Sequence, residues 1–169
     1  MGDSPGPTLV IGCGNMLGAD DGVGLAALER LRDQYCLPPE VRLEDGGTWG
    51  LNLLPLIEDS GRLLLVDAIN TGATAGTLTV LERDRLPMYF SQKVSPHQID
   101  LREVLALAEF RGTLPVDTVA VGLQPERIEM STDLSPSVAD RIDELVGAVV
   151  DRLRTWGHEV RPAGQPAHA

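Results

Sequence analysis

Four consecutive large aliphatic residues, Leu63-Leu64-Leu65-Val66, run straight into a carboxylate at Asp67. A strand that is apolar at every position must be covered on both faces, as a central strand of a mostly parallel sheet is. Helices are therefore needed on either side, which restricts the chain to a layered α/β arrangement. The remaining segments agree. Thr8–Gly12 (TLVIG) is a second apolar run closed by glycine, and Val41–Glu44 alternates as a half-exposed strand does. Thr77–Leu81 and Val116–Val121 read as further strands. Between the strands, apolar residues recur at helical spacing: Leu25, Leu28, Leu31 and Tyr35; then Leu53, Leu54 and Ile57; then Leu101, Val104, Leu105 and Ala108. Ser95-Pro96-His97-Gln98 has the layout of a helix start, with Ser as N-cap, Pro at the first position and Gln three residues after the cap. Ser135-Pro136 opens a last long helix with Val138, Ile142, Leu145, Val149 and Leu153 inward, stopped by Gly157. The predicted order is β-α-β-α-β-β-α-β-α: a three-layer α/β/α sandwich around a mixed, mostly parallel, about five-stranded twisted sheet. Only a short glycine-containing segment joins Asp67 to Thr77, so that strand pair is expected to be antiparallel or irregularly connected.

The 169 residues suit a single domain, with a core over about 8–157, a flexible N-terminus and a fraying Arg161–Ala169 tail. His158 and His168 are expected to be solvated. With 25 acidic and 14 basic side chains the net charge is −11, which argues against a phosphate-backbone binder and against adhesion to an anionic membrane. No apolar run approaches the ~20 residues needed to span a bilayer, and the first residues lack a secretory-signal layout. Two cysteines, Cys13 and Cys36, are no disulfide framework, so a cytoplasmic setting is expected.

The acids are unevenly placed. Asp20-Asp21, Asp45 and Asp67 each lie at or just after the C-terminal end of one of the first three strands. If those strands are parallel, the carboxylates emerge at one sheet edge, where open α/β sheets bind ligands. His97 sits in the first turn of its helix, where the dipole disfavours an imidazolium and leaves a neutral, ligating ring. Two carboxylates and an imidazole suit Zn, Ni, Mn or Fe in the +2 state. Taken singly, each has an ordinary explanation: Asp20 and Asp21 as helix caps, Asp45 as a turn residue before two glycines, His97 as a structural histidine. Asp67 is harder to explain that way, because a carboxylate after an apolar run is costly unless paired or coordinated. Gly12-Cys13-Gly14 starts like a dinucleotide fingerprint, but Leu17 stands where the third glycine belongs. Cys13 between glycines reads as a small buried thiol rather than a nucleophile. The acidic side chains of the last helix, Asp140, Asp143, Glu144 and Asp151, read as solvated surface.

The stretch with Gly12, Gly14, Asn15, Leu17, Asp20, Asp21, Gly22 and Gly24 resembles the opening signature of the nickel–iron hydrogenase maturation endopeptidases. Asp45-Gly46-Gly47-Thr48 with Gly50, Val66-Asp67-Ala68 and Ser95-Pro96-His97-Gln98 resemble three further motifs of that family, in the same order over about 8–155. The resemblance implies an endopeptidase that removes a C-terminal extension from the hydrogenase large-subunit precursor after nickel has been installed. The nickel is then the substrate's own, and it signals that loading is complete. Carried over by position, the metal ligands are Asp21, Asp67 and His97; some relatives have Glu where this chain has Asp21. Asp45 takes the place of an acid tied to selectivity or catalysis. Zn or Cd is expected to be able to fill such a site in vitro. The same residues would also serve a non-proteolytic nickel-binding assembly factor or a stand-alone metal-dependent peptidase. A monomer acting on a transient protein partner is the simplest expectation. Glycine-loop N–H groups of Gly46, Gly47 and the Gly12–Asn15 segment are expected to be able to face an oxyanion.

Overall fold

The computed structural model describes residues 6–47, 50–91 and 101–165. Strand β1 (Thr8–Gly12) leads through a 3-10 turn (Ala19–Gly22) into α1 (Val23–Gln34). Then come β2 (Tyr35–Cys36), β3 (Val41–Asp45), a 3-10 turn (Gly50–Leu53) running into α2 (Leu54–Asp59), and β4 (Arg62–Ala68). Strand β5 (Leu78–Leu81), a 3-10 turn (Arg83–Arg85), α3 (Leu86–Phe90), α4 (Leu101–Phe110) and β6 (Asp117–Leu123) follow. The chain closes with α5 (Pro136–Ala139), α6 (Ile142–Thr155) and β7 (Arg161–Pro162).

Five strands form one sheet in the order β3-β1-β4-β6-β5; the first four are parallel and β5 is antiparallel to β6. Gly12 at the end of β1 pairs with Asp45, the end of β3, on one side and with Val66 on the other; β4 runs two residues further, through Asp67 to Ala68. The chain passes from β1 to β3 over one face and from β3 to β4 over the other. The strand order therefore reverses beside β1, the point at which such sheets open a crevice.

Side-chain alternation divides the core in two. Val10, Leu64 and Val66 face α1 and α6, packing on Leu28, Leu31, Leu145 and Val149. Leu9, Ile11, Leu63 and Leu65 face α2, α3 and α4, packing on Ile57, Leu86, Leu101 and Leu105. Asp67 continues the odd-numbered side of β4, which sends its carboxylate toward α3 and α4.

Several expectations change. Strand β5 lies beyond β6 and does not pair with β4, because the apolar β4 is already flanked by β1 and β6. Helix α3 was not expected from its short, proline-containing sequence. The last helix is two pieces, α5 and α6, although Val138, Ile142, Leu145, Val149 and Leu153 are all buried as the spacing predicts. Helix α1 stops at Gln34, and Tyr35–Cys36 pairs antiparallel with Arg161–Pro162. That small sheet holds the start of the segment expected to fray. His158, expected in solvent, is buried instead, with Nε2 2.7 Å from Thr8 Oγ1. Asp140, Asp143, Glu144 and Asp151 are exposed. The predicted helix start at Ser95, His97 included, lies outside the described residues. Among those described, no helix is long and apolar enough to cross a membrane.

Burial holds His158 below the ordinary imidazole value of 6.5; Glu40 opposes this and Arg62 adds to it. The folded protein keeps the ring neutral while the unfolded chain takes up a proton near pH 6.5. The stabilisation is therefore complete above that pH and is lost as pH falls toward the folded value. The stability gap between wild type and His158→Gln, measured by denaturant unfolding, is expected to narrow between pH 7.5 and pH 5. A gap that ignores pH would contradict the assignment.

Candidate active site

The glycines after β1 are required by how closely the chain folds on itself. Gly14 has φ +99°, and a Cβ there would lie 1.9 Å from the Asp21 carbonyl oxygen. Gly24 lies near the start of α1; a Cβ on it would meet the Val66 carbonyl oxygen at 2.1 Å and the Cys13 carbonyl oxygen at 2.8 Å. Cys13 N–H donates to that same Val66 oxygen at 2.8 Å. The glycine spacing thus serves contact between the helix and the β1–β4 pair.

The adjacent acids Asp20 and Asp21 do different things, and neither caps α1, whose N-cap is Gly22 with no side-chain cap bond. Asp20, 0 % exposed, accepts from Glu126 N–H (2.9 Å), Arg127 N–H (3.0 Å), Ser135 N–H (2.7 Å) and the Ser135 hydroxyl (2.9 Å). Burial opposes its charge, but the bonds from Arg127, Ser135 and Glu126 prevail and hold its pKa below the usual value. Asp20 is therefore a latch on the 126–135 segment, which also bonds backbone to backbone with Leu17 and Ala19. Met16, Leu17, Ile128 and Met130 stand exposed on the two latched segments. Asp21, 6 % exposed, turns the other way and accepts from Asn15 N–H at 3.0 Å.

Asp67, 3 % exposed, is the electrostatic focus. Its Oδ2 accepts from the Tyr89 hydroxyl at 2.8 Å and from Arg102 Nη2 at 3.0 Å, and its Oδ1 from Ala68 N–H at 2.8 Å. The Arg102 guanidinium lies over the Tyr89 ring, 4.9 Å from its centroid. Burial raises the Asp67 pKa to about 6; Asp21 pushes it further up, while Arg102, Tyr89 and the Ala68 N–H pull it down. Burial also raises the Tyr89 pKa well above its usual value, with help from Asp67 and Cys13, so its hydroxyl stays a donor. Two carboxylates that repel one another in a buried pocket are a donor set a divalent cation would relieve.

Asp45 closes β3 half-exposed, and its Oδ1 accepts from Gly47 N–H at 2.7 Å, which is the turn role a single Asp before two glycines suggests. The glycine-loop N–H groups are largely committed: Gly46 donates to Gly12 O, Gly47 to Asp45, Cys13 to Val66 O and Asn15 to Asp21. Those four N–H groups are therefore not open to the oxyanion that the loop was expected to be able to face. Cys13 is buried, its Sγ 3.6 Å from the Ile11 carbonyl oxygen and against the Tyr89 hydroxyl, unlike an accessible nucleophile. Of the predicted metal set, the described residues bring Asp21 and Asp67 together, and His97 lies outside them. No cluster of three ligating side chains occurs among the described residues. Tyr89 and Arg102 were not foreseen. The only trace of Arg102 in the sequence is a basic residue beside the apolar stripe of α4.

Residues 25–152 match the family model described as hydrogenase maturation protease. The chain belongs to the hydrogenase maturation protease family. It is an endopeptidase, a hydrolase acting on peptide bonds. Among relatives of this maturation protease, the hydrogenase expression/formation protein HupD of Rhodobacter capsulatus is 40 % identical, over 92 % of this chain and 75 % of that one. The hydrogenase 2 maturation protease of Escherichia coli K12 is 37 % identical, over 91 % of this chain and 94 % of the relative. Among solved structures, the hydrogenase maturating endopeptidase HybD from E. coli superposes with a TM-score of 0.84 at 36 % identity, covering 92 % of this chain and 97 % of the other.

The two neighbouring acids separate experimentally. Asp20→Ala strips four hydrogen bonds from a buried network and is expected to cost roughly 3–5 kcal/mol of stability. Asp21→Asn keeps an acceptor for Asn15 and is expected to stay within about 1 kcal/mol of wild type. Denaturant unfolding of the two variants side by side checks this.

Proposed function

We propose that this maturation protease removes the C-terminal extension of a nickel–iron hydrogenase large-subunit precursor after nickel insertion, with the nickel serving as the recognition element. The reading is carried by the buried Asp67 carboxylate, within electrostatic range of Asp21 at the C-terminal edge of the parallel strands in a chain of this family. In this reading Asp21, Asp67 and His97 bind nickel that the precursor's own cysteines already hold. The metal is then part of the substrate, and docking it places the following peptide bond against the site. In the same reading Asp45, half-exposed at the neighbouring strand end with Oδ1 held by Gly47, would take a proton from the attacking water through Oδ2. Bound there, the nickel would supply Lewis acidity near the scissile carbonyl. The exposed Met16, Leu17, Ile128 and Met130 give the precursor segment an apolar rim, held in place by the Asp20 latch. Neither cysteine is in a disulfide, which suits the reducing cytoplasm, and a monomer meeting its partner transiently is the arrangement proposed.

The test incubates the protein with nickel-loaded and nickel-free precursor and measures C-terminal cleavage by mass. Cleavage of the loaded form alone is expected, and equal cleavage of both would overturn nickel recognition. Asp67→Ala and His97→Ala are expected to stay folded and to lose at least 100-fold in processing. Normal processing by either would overturn the ligand assignment. Cys13→Ser, which can keep its bond to the Ile11 carbonyl, is expected to process within about threefold of wild type. A folded but inactive Cys13→Ser would bring the thiol back into the mechanism.

A further inference from the structure

We infer that Tyr89 and Arg102 are positioning residues that saturate one oxygen of Asp67, so that the carboxylate presents its other oxygen, Oδ1, to the substrate's metal as a single-point ligand. The inference rests on the nickel reading above and concerns how that site is built.

A carboxylate oxygen has two lone-pair directions. At Oδ2 both are filled, by the Tyr89 hydroxyl at 2.8 Å and by Arg102 Nη2 at 3.0 Å. At Oδ1 one is filled, by Ala68 N–H at 2.8 Å, and among the described residues no other donor takes the second. Bidentate ligation through both oxygens would require one of the Oδ2 bonds to break. The two donors are themselves fixed. Tyr89 is 0 % exposed and Arg102 4 %, and the guanidinium stacks on the phenol ring. They come from α3 and α4, separate elements on the helical layer that the odd-numbered side of β4 faces. Asp67 is therefore clamped from two helices and from its own backbone.

Stability alone is a poor reason for such a clamp. Burying a guanidinium and a carboxylate together is often no better than packing apolar side chains of similar volume. What the pair does supply is a fixed carboxylate orientation at the sheet edge. Groups that hold a ligand from behind typically influence metal affinity or activity by 10- to 100-fold.

Tyr89→Phe removes one oxygen without altering ring packing or charge, and Arg102→Lys keeps the charge but loses the fork and its ring stacking. Ile57→Val, in the same helical layer and with no hydrogen-bonding side chain, is the control for modest destabilisation. Steady-state cleavage of nickel-loaded precursor is measured for all four proteins, well below their unfolding temperatures. Both site variants are expected to raise KM about tenfold with a smaller change in kcat, and Ile57→Val is expected to leave both at wild-type values. Calorimetric titration with Ni2+ alone is the second readout: Kd is expected to rise about tenfold in Tyr89→Phe and to be unmoved in Ile57→Val. Wild-type KM and Kd in Tyr89→Phe would overturn the positioning role while leaving nickel recognition intact. A KM shift of equal size in Ile57→Val would also overturn it, by showing that lost stability is enough. A wild type that cleaves loaded and nickel-free precursor alike overturns the nickel reading and this inference with it.

Discussion

The contact on which the site depends is between the start of α1 and the backbone at the end of β4. Gly24 lies so close to the Val66 carbonyl that a single methyl group would collide with it, and Cys13 N–H bonds to the same oxygen. This draws the loop after β1 down onto the neighbouring strand. Asp21, on that loop, thereby comes within electrostatic range of Asp67, one residue beyond Val66. A wider approach would leave two unrelated surface acids. The parallel register adds the third strand end, since Gly12 lies level with both Asp45 and Val66.

Charge in this crevice is handled by specialisation. Asp20 is fully consumed by hydrogen bonds to the 126–135 segment and stays ionised through them. Asp67 is compensated by one guanidinium, one phenol and one backbone N–H, while burial and Asp21 work against its charge. The result is a buried pair with a standing preference for positive charge.

Strand ends and helix stripes were legible because side-chain periodicity is local. The odd–even alternation of Leu63 to Asp67 and the stripe Leu101, Val104, Leu105, Ala108 mark their faces without reference to anything distant. The partner of β5 was not legible, because adjacency in a sheet is settled by which flanks remain open after the central strands pair. Tyr89 and Arg102 were hidden for a related reason. Each lies in a helix whose own pattern allows an exposed tyrosine or arginine, and only the side of β4 it meets buries it. The latch at Asp20 joins residues more than a hundred positions apart, and no local pattern encodes that separation. His158 was misread as solvated for want of its distant partner Thr8.

By itself, then, the sequence determined the layered fold class, the carboxylates at three strand ends and the glycines that let the chain approach itself, all consequences of period, turn chemistry and steric bulk acting over a few residues. Tertiary structure alone decided which of two adjacent aspartates is structural, that Cys13 is enclosed, that most of the glycine-loop N–H groups are already bonded, and that Asp67 is held by a tyrosine and an arginine from two different helices. The physical reason is that hydrogen bonding and desolvation depend on what lies opposite a side chain in space. For Asp20 and Asp67 those groups come from elements that only the packing of helices on the sheet brings near.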